Sequence, residues 1–256
     1  MARNKVHSRP SGLRALLLDV GGTLWPDQLS ANAQAKAHIR AELAKLLPDV
    51  DAAALLQLLR AALATDDDGL SQHTHAHIQH ALARGDRLVD AIAIRRALCV
   101  PAAVGIQLFP GARELLATSK ALGLKTVIVS NVQVRGVDEY WRDFRDLGVS
   151  DCIDAIVTSL EVGFRKPHSA MFLAALNAAG CRPNQCVMIG DSEVKDIEPA
   201  NALGIYTIRV AIEQSELAPS AAHAIANDLH EVADLITPWV TGATQRAMMT
   251  TVATAR

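Results

Sequence analysis

The sequence predicts an α/β fold: a doubly wound parallel sheet with an α-helical insertion near its start. Three observations carry that reading. Short apolar runs end in turn-forming or polar residues, as in Leu16-Leu17-Leu18-Asp19 and Val187-Met188-Ile189-Gly190. Runs of this kind are strands buried on both faces. Between Phe109 and Leu235, strand-like and helix-like segments alternate, which implies right-handed crossovers in a parallel sheet. Between Ser30 and Val100, β-branched residues thin out and Ala, Leu, Gln and Arg dominate, so this insertion reads as helical.

Taken in order, residues 1–12 are polar and basic, lack the apolar core of a secretory signal, and read as a disordered arm. The first strand ends in Asp19, and Gly21, Gly22 and Thr23 follow at once. Open α/β sheets bind ligands at the carboxyl ends of their strands, and glycines let the backbone approach a ligand closely. Helical periodicity then fits four segments, 31–47, 50–64, 70–84 and 87–99. Pro48-Asp49, Asp66-Asp67-Asp68-Gly69 and Gly85-Asp86 separate them. They are expected to form a four-helix cap over residues 29–100, with the core built from 13–28 and 101–238. After Phe109-Pro110-Gly111 the core reads as helix 112–122, strand 125–130, helix 137–147, strand 155–158 and helix 169–179. Strand 186–190, helix 194–203 and strand 205–209 follow, then a weak strand near 222–225 and a helix over 229–235. Glycines mark several helix ends. Residues 239–256 are expected to be a second disordered tail.

Half of the 256 residues are hydrophobic but only 4% are aromatic, so a large core is built mainly from Ala, Leu, Val and Ile. A net charge of −2 offers nothing to attract nucleic acid or an anionic membrane. No apolar run approaches the roughly 18 residues of a spanning helix. Cys99, Cys152, Cys181 and Cys186 show no Cys-x-x-Cys spacing and read as the thiols of a reducing compartment. The expectation is a cytoplasmic monomer or homodimer that binds neither nucleic acid nor membrane.

Three more strand ends carry polar residues. Ser130-Asn131 offers a hydroxyl and backbone N–H groups that can hold an anionic oxygen, or an ordinary loop cap. In Gly163-Phe164-Arg165-Lys166-Pro167, Lys166 can present a point charge to a phosphate or a carboxylate, or sit solvated on the surface. Asp191-Ser192, with Asp196 five residues beyond Asp191, suits a hard cation such as Mg²⁺. A helix cap is the plainer reading of those residues.

In order and spacing, strand-Asp-x-Gly-Gly-Thr, strand-Ser-Asn, Gly-Phe-Arg-Lys-Pro and Ile-Gly-Asp-Ser-x-x-x-Asp resemble the four successive motifs of the haloacid dehalogenase superfamily. The resemblance spans Ala15 to Leu235. It implies a Rossmann-like core with a helical cap between the first and second motifs. It implies that Asp19 is a nucleophile that forms an aspartyl-phosphate, that Thr23 braces its loop, and that Ser130 and Asn131 bind the phosphoryl group. Lys166 matches the cation that steadies Asp19, Asp191 the metal-binding acid, and Asp196 the second acid of that motif. Gly21 stands where phosphatases of this family usually carry a second Asp. Its carbonyl can still be a metal ligand, but the acid–base group, typically worth about 10²–10⁴-fold in rate, is missing. The resemblance therefore implies a Mg²⁺-dependent phosphoryl hydrolase or transferase for a small phosphorylated metabolite. A weakly active or non-catalytic ligand- or partner-binding relative is one alternative. A 2-haloacid dehalogenase is another, at odds with the retained Gly190-Asp191-Ser192 and Asp196.

The cap offers further candidates. His73, His77 and His80 share one helical face, while His75 points elsewhere. His77 is the residue there that can supply a proton or meet a substrate anion; a solvated face is the competing reading. Asp66-Asp67-Asp68 reads as a capping loop. Trp25 walls the substrate pocket or packs the hinge to the cap. Arg135 meets a second anionic group or lies on the surface.

Overall fold

The computed structural model describes residues 10, 12–26, 33–48, 51, 57, 91–212 and 219–253, with backbone alone for 242–253. Among these, six strands form one parallel sheet in the order β3-β2-β1-β4-β5-β6. They are β1 (Ala15–Leu18), β2 (Lys125–Ser130), β3 (Ala155–Thr158), β4 (Cys186–Gly190), β5 (Tyr206–Val210) and β6 (Ala224–Ala226). The described helices are α1 (Ala33–Leu46), α2 (Ala91–Leu98), α3 (Ala112–Ala121), α4 (Val137–Asp146), α5 (Ser159–Val162), α6 (Ser169–Ala179), α7 (Glu198–Ala202) and α8 (Leu229–Ala253).

β1 is central because each of its residues must be buried. Successive side chains of a strand point to opposite faces. Leu16 and Leu18 enter one core cluster with the apolar residues of α3, α4 and α8. Ala15 and Leu17 enter the other, against Met171, Phe172, Ala175 and Leu176 of α6. All four residues of β1 are fully buried, and burying a leucine contributes about 1.5–3 kcal/mol. β4 divides in the same way, with Val187 and Ile189 on the first face and Cys186 and Met188 on the second. In register, Leu18 lies opposite both Ile128 of β2 and Ile189 of β4. The chain thus crosses to opposite sides of β1, and the carboxyl end of β1 is the switch point where such sheets bind ligands.

Of the expected cap, α1 and α2 are described. α1 buries Ala35, Ile39 and Leu43 at four-residue intervals, and α2 buries Ile94, Ala97 and Leu98. Apart from residues 51 and 57, the segment expected at 50–64 lies outside the described residues, as do the segment at 70–84, His73, His75, His77, His80 and the Asp66-Asp67-Asp68 loop.

Two elements differ from expectation. The helix expected over 194–203 begins instead as a π-helical turn, Glu193–Ile197, before α7. α8 does not stop near residue 235. It continues through Pro238 to Ala253, although the stretch after Pro238 reads from sequence as frayed. Its buried stripe, Leu229, Val232, Ile236 and Trp239, runs across the proline. Proline costs the helix a donor, but packing of that stripe against the core favours the helical path.

Candidate active site

The site begins at the carboxyl end of β1. The Asp19 amide donates to the Ile189 carbonyl at 2.9 Å, so the sheet ladder fixes this residue before its side chain makes any contact. Gly22 has φ +74°, and a Cβ there would lie 2.7 Å from Asp191 Oδ2. Only glycine fits a turn that needs positive φ and passes so close to a carboxylate. The Thr23 hydroxyl donates to Asp19 Oδ2 at 3.3 Å from a fully buried position.

Lys166, only 4% exposed, arrives from the loop before α6. Its Nζ lies 2.6 Å from Asp19 Oδ1 and 2.6 Å from Asp196 Oδ1. Burial alone would lower its pKa, but the two carboxylates outweigh burial and raise it. The lysine is therefore a fixed cation. Asn131 holds its backbone: the Asn131 side-chain amide donates to the Lys166 carbonyl at 2.9 Å and accepts from the Lys166 N–H at 2.7 Å.

Asp191 follows β4, and Asp196 sits in the π-helical turn, a feature common at functional sites. Asp196 Oδ2 accepts from the Ser192 N–H at 3.2 Å. Gly190 makes room for Asp196, since a Cβ there would lie 2.5 Å from its carboxyl carbon. Burial raises the Asp196 carboxyl, with Asp19 and Asp191 adding to the rise and Lys166 opposing it. Asp19, Asp191 and Asp196 each present a carboxylate oxygen, and these lie within 4.8 Å of one another. Lys166 bridges two of them, so the cluster keeps more negative charge than this lysine removes. An all-oxygen donor set with surplus negative charge fits a hard divalent cation.

Four of the expected site residues have partners within the protein. The Ser130 hydroxyl lies 2.8 Å from the Tyr140 hydroxyl. The Asn131 side chain is spent on the Lys166 backbone. Trp25 is 2% exposed and packs on Tyr140 and Phe144, with ring centroids 5.9 and 5.4 Å away. It fills the hinge rather than walling a pocket, because its indole finds aromatic partners on α4. Arg135 is likewise corrected: it lies inside, with Nε 2.8 Å from Asp143 Oδ2 and Nη2 donating to the Val100 carbonyl at 2.6 Å. Its charge is engaged by the protein itself. His77 lies outside the described residues. Gly21 forms a bridge with Trp25 and, unlike Gly22, is not among the glycines with positive φ.

Sequence reasoning missed several supports. Arg209 Nε donates to the Asp191 carbonyl at 3.3 Å, and its Nη1 lies 3.2 Å from Glu193 Oε2. The Ser159 hydroxyl accepts from the Val132 N–H and donates to the Val132 carbonyl, which fixes the loop after β2. Tyr140 stands behind Ser130. Arg209 is the one charged residue in its strand run, and that was its one visible signal.

A parallel α/β core with clustered carboxylates and a buried lysine at the sheet's switch point defines an enzyme site of the hydrolase kind. The chain belongs to the haloacid dehalogenase-like hydrolase family, whose model matches residues 13–204. It is 28% identical over 205 residues to a glyceraldehyde 3-phosphate phosphatase of Methanothermobacter thermautotrophicus, covering 80% of this chain and 88% of that one. It is 28% identical over 223 residues to a ribulose-1,5-bisphosphate 5-phosphatase of Halopiger xanaduensis, covering 82% and 90%. In structure it is similar to a phosphatase from Thermococcus onnurineus (TM-score 0.62, 18% identity, 88% and 98% covered). It is also similar to a 2-haloacid dehalogenase from Pseudomonas syringae (TM-score 0.64, 22% identity, 89% and 99% covered). At these identities the structural likenesses establish the fold. No helix among the described residues is long and apolar enough to cross a membrane.

Proposed function

We propose that this chain is a Mg²⁺-dependent phosphatase of a small phosphorylated metabolite, working through an aspartyl-phosphate on Asp19. The observation that carries this reading is Lys166 Nζ at 2.6 Å from both Asp19 and Asp196. A carboxylate attacking a phosphoryl dianion meets like-charge repulsion. A buried, fixed cation beside it reduces that repulsion and stabilises charge that spreads in the transition state. Asp19, Asp191, Asp196 and the Gly21 carbonyl would hold Mg²⁺, which supplies further neutralisation of the phosphoryl oxygens.

Asp19 forms a bond to phosphorus as the bond to the leaving oxygen breaks, and the electron pair departs with that oxygen. Water then attacks the acyl phosphate, releases inorganic phosphate and regenerates Asp19. Ser130 and the backbone around Asn131 would hold the phosphoryl oxygens. Gly21 offers no proton to the leaving oxygen. Substrates with good leaving groups, such as acyl phosphates, suit that lack, as does a donor from the cap such as His77. Relatives named for glyceraldehyde 3-phosphate and ribulose 1,5-bisphosphate support a small phosphorylated substrate.

The test is phosphate release with Mg²⁺ from a panel containing acetyl phosphate, p-nitrophenyl phosphate, glyceraldehyde 3-phosphate and ribulose 1,5-bisphosphate. Asp19→Asn should reduce any such activity by at least about 10³-fold, as loss of a nucleophile does. Metal-independent chloride release from 2-chloropropionate would overturn the reading. Gly21 favours one second reading, a binding protein of little or no turnover; release from no member of the panel would support it.

A further inference from the structure

The Ser130 and Tyr140 hydroxyls lie 2.8 Å apart, and the geometry alone allows either to donate. Both residues are buried, at 3% exposure each. Among the described residues the Tyr140 hydroxyl has no other hydrogen-bond partner. Its ring is fixed between aromatic neighbours, with the Phe144 ring centroid 5.7 Å and the Trp25 centroid 5.9 Å away. The Arg135 guanidinium carbon lies 5.5 Å from the centre of that ring. A cation there withdraws electron density, which makes the phenol a better donor and a poorer acceptor. Either order leaves one hydroxyl hydrogen for another acceptor: if Ser130 donates, the phenolic hydrogen stays among the aromatic rings, whereas if Tyr140 donates, the serine hydrogen stays at the carboxyl end of β2.

We infer that Tyr140 is a positioning residue for the reaction at Asp19: its hydroxyl donates to Ser130 Oγ, which leaves the serine hydrogen free to point at a phosphoryl oxygen. The order of donation is Tyr140 to Ser130 to substrate. Burial pushes the Tyr140 phenol up to about 12, against the pull of Arg135 and Ser130, so it stays protonated at neutral pH. Arg135 itself is held by Asp143 and by the Val100 carbonyl, so the segment that leaves α2 helps to set this order. The inference rests on the proposed phosphoryl chemistry.

Tyr140→Phe keeps the ring and removes only the hydroxyl. The experiment measures inorganic phosphate affinity by calorimetry with saturating Mg²⁺, together with kcat and KM where turnover exists, in wild type, Tyr140→Phe, Ser130→Ala and the double variant. Phosphate affinity and kcat/KM should fall about tenfold in Tyr140→Phe, the scale of one lost hydrogen bond to a charged group. The same change in the Ser130→Ala background should cost less than about twofold, because neighbouring residues that act as a unit are not additive. Equal losses in both backgrounds, or no loss in either, overturn the inference. A wild type that turns over no substrate but binds phosphate with this dependence defeats the phosphatase reading and keeps Tyr140's role. A wild type that binds no phosphate defeats both. The chain has only two tyrosines, so 3-fluorotyrosine labelling, with Tyr206→Phe for assignment, gives a check that needs no substitution at 140. The Tyr140 fluorine signal should shift when phosphate is added to wild type and stay put in Ser130→Ala; a signal that stays put in wild type overturns the inference.

Discussion

Two clusters of buried charge in this molecule have opposite balances. At the hinge beneath α2, each buried carboxylate has two arginines. Arg95 and Arg96 approach Glu139 at 3.1 and 3.6 Å, and Arg135 and Arg142 approach Asp143 at 2.8 and 3.0 Å. At the end of β1, three carboxylates converge and one lysine bridges two of them. The hinge is a charge network that the fold closes by itself, and it ties α2 to α4. The cluster at Asp19 is left negative, which suits a site for a divalent cation. The carboxylates Glu139, Asp143, Asp19 and Asp196 are buried in both places, so it is the balance of charge around them that differs.

The comparison breaks most visibly at Lys166. Removing one member of a buried ion pair costs about 3 kcal/mol. Lys166→Met should lose that much stability in chemical denaturation without metal and should regain part of it with Mg²⁺. A variant as stable as wild type without metal would mean that the carboxylates do not strain each other. At the hinge, Arg95→Met should cost about 2 kcal/mol, because Glu139 keeps only the more exposed Arg96. There the increment from Mg²⁺ should match that of wild type; a changed increment would mean that the two clusters are coupled. The smallest effect sharpens the chemical side. Gly21→Asp adds the absent acid at a backbone position outside the positive-φ region. It should raise hydrolysis of an alkyl monoester such as glyceraldehyde 3-phosphate about tenfold, less than the usual 10²–10⁴ because the cluster is already rich in carboxylates. No gain would point to a pocket built for leaving groups that need no acid.

Much of the site was legible in the sequence because its residues sit at strand ends. Asp19, Ser130 and Asp191 each follow an apolar run, and parallel strands bring such ends to one edge. Lys166 was legible through its Pro neighbour and its place before a helix. For Trp25 the sequence left pocket wall and hinge packing both open, and Arg135 was misread, because nothing local shows what lies across from a side chain. Their partners, Tyr140, Phe144 and Asp143, are more than a hundred and fewer than ten residues away respectively, so sequence distance was no guide. α8 was cut short because proline is a local signal, whereas the packing that carries the helix past it is not.

By itself the sequence determined the class of fold and which acidic and basic residues gather at the candidate site. Hydrophobic periodicity specifies strand or helix, and the residue that follows a buried strand is placed at an edge whatever the strand order. The order β3-β2-β1-β4-β5-β6, the two bonds of Lys166, the clamp of Asn131 and the hydroxyl pair of Ser130 and Tyr140 were decided only in three dimensions. Each depends on distances between segments far apart in the chain, and those distances exist only once both faces of the sheet are packed.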